Sequence, residues 1–114
     1  MTLDPKLDFP DDADGDALRR IAQDGSDMSK PMEIEFAVAA PDEDSARAIA
    51  KAAASRGYRT DVDRDGAGTW SCYCARSMVA TYKAVVEGQA ELDALSRLHG
   101  GYADGWGTAG NAPA

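Results

Sequence analysis

The sequence predicts an α+β domain: a ferredoxin-like two-layer sandwich with an extra N-terminal helix, ordered αβαββαβ, whose four strands make one antiparallel sheet. Three observations carry this. Met32, Ile34, Phe36 and Val38 alternate with Glu33 and Glu35, the period of a half-buried strand. Tyr82, Val85, Val86, Gln89, Leu92, Leu95 and Leu98 recur at helical spacing until Gly100, which tolerates the left-handed stop a helix end needs. Between them, Arg64-Asp65-Gly66-Ala67-Gly68 carries the Asp-Gly signal of a β-hairpin turn.

Taken in order, residues 1–11 read as a flexible acidic lead, residues 12–107 as a single domain and residues 108–114 as a flexible tail of small residues. A first helix is expected over residues 12–24, with Leu18 and Ile21 on one side and Arg19 and Arg20 on the other. Asp11, Asp12 and Asp14 crowd its positive end, and Gly25 stops it. Its apolar stripe is thin, so it depends on packing against the rest. Pro31 opens the strand that reaches Ala40. Pro41-Asp42-Glu43-Asp44 starts a second helix, whose body is residues 45–56; Ala46, Ile49, Ala50, Ala53 and Ala54 let it approach a sheet closely.

Beyond Gly57, Tyr58, Thr60 and Val62 alternate with Arg59, Asp61 and Asp63 in a second strand. A third strand spans residues 69–79 with Trp70, Cys72, Tyr73 and Cys74, and Thr81 caps the long helix. In Gly100-Gly101-Tyr102-Ala103-Asp104-Gly105-Trp106-Gly107, strict alternation puts Tyr102, Asp104 and Trp106 on one face of a fourth strand.

At 114 residues the chain holds one core, and 12 basic against 20 acidic residues give a net charge of −8. Such a surface repels phosphate backbones and suits a basic protein partner. No apolar run approaches a membrane span, and the first residues lack the order of a signal peptide, so a cytoplasmic protein with reduced thiols is expected.

The residues offer little to catalysis. Cys72 and Cys74 share a strand face, roughly 6.5 Å apart, too far for an unstrained disulfide. A metal would need two further ligands beside them, and His99 is the only histidine. No nucleophile elbow or phosphate cradle is present, because Gly66-Ala67-Gly68 has no following lysine and precedes a strand. No metal and no cofactor are expected. Glu33, Glu35, Asp61 and Asp63 read as a solvated strand face. If Cys72 and Cys74 are core, Tyr73 points outward with them, and Tyr102, Asp104 and Trp106 join it. An uncovered face bearing aromatics and carboxylates suits protein binding, since aromatic anchors dominate such interfaces. Sheet aromatics also bind single-stranded RNA in this fold, but here acidic residues occupy the face. The alternative function is a small-ligand or enzymatic site around Tyr102, Asp104 and Trp106. A third is pairing with a second copy.

The segment Gly100–Gly107, preceded by its leucine-rich helix, resembles the closing motif of the regulator of ribonuclease activity B family, described as inhibitors of ribonuclease E. Asp24-Gly25-Ser26-Asp27 resembles that family's ending of the first helix, and the likeness runs from about Asp16 to Gly107. The resemblance implies a ferredoxin-like fold and a non-enzymatic protein that binds a ribonuclease E-like endoribonuclease and alters RNA cleavage; a monomer or weak dimer is expected. Ala103 is inserted relative to the family motif, and residues 108–114 are not the long acidic tail of its best-known members. The expected partner-binding residues are Glu33, Glu35, Asp61, Asp63, Tyr73, Tyr102, Asp104 and Trp106.

Overall fold

The computed structural model describes residues 9–112; residues 1–8 of the expected lead and the last two of the expected tail lie outside the described residues. The chain runs α1 (Ala13–Gln23), β1 (Pro31–Ala40), α2 (Glu43–Ala54), β2 (Arg59–Arg64), β3 (Trp70–Val79), α3 (Tyr82–Arg97) and β4 (Tyr102–Gly107). The strands form one sheet ordered β2-β3-β1-β4, every neighbouring pair antiparallel. The hairpin joins β2 to β3, and β4 closes the sheet beside β1, as the split βαβ order requires.

Each helix begins on a side chain that accepts an otherwise unpaired amide. Asp12 takes Gly15 N at 2.7 Å, Asp42 takes Ser45 N at 2.7 Å, and Thr81 takes Ala84 N at 3.0 Å. Capping by Asp42 starts α2 at Glu43, within the acidic stretch expected to open the helix.

One face of the sheet is filled. Met32, Ile34, Phe36 and Val38 of β1 and Cys72 and Cys74 of β3 are buried with Ala46, Ile49 and Ala53 of α2 and Val85 and Leu92 of α3. The cysteine sulfurs lie 3.7 Å apart, and the hydrogen bond to Cys72 together with burial pushes the Cys74 thiol well above its ordinary range. A thiol held protonated in a core is a small apolar residue, not a nucleophile. Gly88 lets α3 settle on this layer: a Cβ there would stand 2.6 Å from Phe36 Cζ. The edge strand β4 is tied to α3, because Asp93 Oδ1 accepts Ala103 N at 2.9 Å while its Oδ2 accepts Arg97 Nε at 2.8 Å.

After β4 the backbone makes further hydrogen bonds through Thr108 and Asn111, in the stretch expected as a tail. Thr108 Oγ1 donates to Glu33 O at 2.6 Å, and Asn111 Oδ1 accepts Asp27 N at 2.7 Å. Asn111 Nδ2 donates to Asp27 O at 2.9 Å, and Asn111 N donates to Ser26 Oγ at 3.1 Å. An asparagine amide that both donates and accepts replaces a backbone pairing here. Ser26 and Met28 are buried beneath this clasp.

Candidate protein-binding face

Among the described residues no helix lies over the second face of the sheet. Strict alternation on β1, β2 and β3 sends to it the residues between those of the core, and the register sets their neighbours. Tyr73 lies directly between Asp61 of β2 and Ala37 of β1. One step along, Ala75 lies between Arg59 and Glu35, and in the other direction Ser71 lies between Asp63 and Ala39. Tyr73 is therefore half-buried at the centre of an acidic field, as expected from placing Cys72 and Cys74 in the core.

The electrostatics of this field are one-sided. Arg59 is the only cation among these residues, and its Nη2 pairs with Glu33 Oε2 at 2.5 Å. Asp63 accepts the next backbone amide, Arg64 N, at 2.8 Å. Glu33, Glu35, Arg59, Asp61 and Tyr73 together line a shallow depression of about 320 Å³. A second depression, of about 560 Å³, runs from Glu33 and Glu35 across Gly107 to Gly110. Gly105 and Gly107 leave this side of the face bare, as a Cβ on either would meet nothing. Among the described residues no three His, Cys, Asp or Glu side chains gather as metal ligands.

β4 departs from the expected alternation. Ala39 pairs with Tyr102 and Val38 with Ala103, yet Ala37 pairs with Gly105 and Phe36 with Trp106. One residue is extra between them: a β-bulge at Asp104, followed by Gly105 at φ +126°, a conformation glycine adopts without strain. A one-residue slip exchanges the faces beyond it. Tyr102 thus shares the open face, 49 % exposed, while Trp106 turns under the sheet beside Phe36. There Trp106 Nε1 donates to Asp14 Oδ1 of α1 at 2.9 Å, and Gln89 Nε2 of α3 donates to Asp14 Oδ2 at 3.1 Å.

The structure so corrects the expectation for Trp106, which joins three elements and is not an outward anchor. Tyr102 and Trp106 stand on opposite sides of the sheet, so the three residues Tyr102, Asp104 and Trp106 do not share the single face that strict alternation predicts. Asp104 is exposed at the bulge. Ala37, Gly105, Gly107 and Thr108 belong to the face and carried no signal of it, being small residues without periodic partners. Asp14 and Gln89 gave no warning either, since their shared partner lies far along the chain.

No helix among the described residues is long and apolar enough to cross a membrane. The model of one protein family, described as regulator of ribonuclease activity B, matches residues 11–108. None of the curated proteins compared with the chain matches it.

Proposed function

Because the chain belongs to the regulator of ribonuclease activity B family, we propose that it binds a ribonuclease E-like endoribonuclease through the open sheet face and restrains its cleavage of RNA, with no reaction of its own. The observation that carries the reading is the uncovered face on which Glu33, Glu35, Asp61 and Asp63 surround Tyr73, with Tyr102 and Asp104 at its β4 border. Such a face fits a basic segment that would otherwise handle RNA, so occupancy by this protein competes with the substrate's phosphates. The net charge of −8 disfavours direct contact with RNA and disfavours face-to-face pairing of two copies, so the acting species is a monomer or weak dimer. Its place of action is the cytoplasm, with the RNA.

The test is binding kinetics against ribonuclease E, or its basic fragments, at several ionic strengths. Association slows as salt rises, because exposed charge pairs are screened, and it slows when Glu33, Glu35, Asp61 or Asp63 is reversed to lysine. Tyr73→Ala instead speeds dissociation. Absence of binding, or binding indifferent to salt and to every one of these changes, would refute the reading. A complex retained by the face variants but lost on altering α2 would move the interface to the helix layer.

A further inference from the structure

We propose that the open face recognises arginine rather than positive charge in general: the ring of Tyr73 takes a partner's guanidinium on its face while Asp61 or Glu35 accepts that group's N–H donors. This rests on the protein-binding reading of the face and names the chemistry that it takes.

Tyr73 stands where such a group can reach it. Asp61 is directly opposite on β2, and Glu35 lies diagonally on β1, opposite Ala75. Side chains in these two relations on one sheet face lie within each other's reach. All three line the same shallow depression. Ala37 and Ala75 are too small to cover the ring, and no ring pair or cation contact among the described residues involves Tyr73. Nor does Glu35 or Asp61 have an ion-pair partner among the described residues, since Arg59 is engaged by Glu33.

The molecule already sets a guanidinium against an aromatic ring twice. The Arg64 guanidinium lies 5.9 Å from the Trp70 ring centre, and that of Arg76 lies 4.4 Å from the ring centre of Tyr58. Tyr73 has the ring and the carboxylates but no cation of its own.

The occupant is an arginine of a protein, by charge and by shape. Phosphates are repelled by the same carboxylates, and a second copy would bring like charge against like charge. Between the two basic side chains, guanidinium is planar, weakly hydrated and able to give two parallel hydrogen bonds to one carboxylate while it stacks. A lysine ammonium is also drawn to a ring face, but it is a compact, strongly hydrated charge with no plane to stack and no fork to match a carboxylate.

Two short synthetic peptides of equal length, one all arginine and one all lysine, serve as probes for the full chain in calorimetric titrations at low salt. The arginine peptide is expected to bind about fivefold more tightly. Tyr73→Leu brings the two peptides to parity, and Tyr73→Phe, which keeps the ring, keeps the preference. Asp44→Asn, an exposed carboxylate lost from α2, leaves both affinities unchanged. Equal affinities in the native protein overturn the inference, as do no binding of either peptide and a preference that survives Tyr73→Leu. If ribonuclease E binds while the peptides are treated alike, the arginine inference fails and the ribonuclease reading stands. If the peptides are told apart but ribonuclease E does not bind, arginine recognition stands and the ribonuclease reading fails.

Discussion

The two faces of the sheet are written on the same strands, one residue out of step, and they differ in what they ask of each side chain. On the covered face Phe36, Ile34 and Val38 are essentially without solvent contact, and each fills a shape set by α2 and α3. On the open face Glu33, Glu35 and Arg59 touch water, and their replacement disturbs no packing. The two aromatics of β4 make the same contrast within a few residues. Trp106 closes the junction of α1, α3 and β4, whereas Tyr102 stands half in solvent. Burial demands on one side leave the other free to be shaped by a partner.

The comparison breaks first at its most buried point. Phe36→Ala is expected to cost about 3 to 5 kcal/mol, read as a loss in chemical-denaturation stability, because a ring's contacts and its cavity are lost together. Tyr73→Ala, on the opposite face of the same sheet, is expected to cost under about 1 kcal/mol in the same measurement. Equal losses at the two positions would show that the open face is packed after all. Trp106→Ala comes next, at about 2 to 3 kcal/mol for a partly buried ring that also holds Asp14, with Trp106→Phe losing about 1 kcal/mol for the hydrogen bond alone. A Trp106→Ala protein of unchanged stability that fails to bind the ribonuclease would return this residue to the interface. Gly88→Ala, despite its gain in helix propensity, is expected to lose about 1 to 3 kcal/mol, since its methyl meets the Phe36 ring.

The smallest effect is acid-dependent and belongs to the helix layer. Hydrogen bonding to Arg97 and to the Ala103 amide holds the Asp93 carboxyl below its ordinary 3.8. A group whose folded value is depressed contributes stability that is complete above the unfolded value and is lost as pH falls through the folded one. The melting temperature of Asp93→Asn should therefore lie below that of the parent at neutral pH, with the gap closing as pH drops below 3.8. A gap that stays constant into acid would mean that Asp93 acts by shape alone.

Much of this arrangement was legible in the residues. Alternation in β1 assigned both faces of that strand, because one buried side forces period two. Asp12, Asp42 and Thr81 marked the helix starts, since a short polar side chain is what an unpaired amide needs. The Asp-Gly turn announced the hairpin. The bulge was not legible in the alternation: Tyr102, Asp104 and Trp106 satisfy it perfectly, and the alanine inserted relative to the family motif did not say where the register slips, which the pairing with β1 reveals. The clasp of Asn111 over Asp27 was equally hidden, as a lone asparagine among small residues has no periodicity, and its partner is distant in sequence. Local patterns record which side of an element is buried; they do not record where the register slips.

The binding of Asp93 to the outer amide of Ala103 bears on how this molecule avoids its neighbours. An exposed edge strand is a template on which a foreign strand can continue the sheet, the first step towards aggregates and fibrils. Here a carboxylate already occupies one of the template's donors, and the kink at Asp104–Gly105 spoils the spacing of those that follow. At the opposite edge, β2 presents Arg59, Asp61, Asp63 and Arg64, so an incoming strand must desolvate charge along its whole length. Neither rim of the sheet invites extension. Strand addition is therefore disfavoured at both edges, and the broad surface that the sheet leaves open to contact is its flat face.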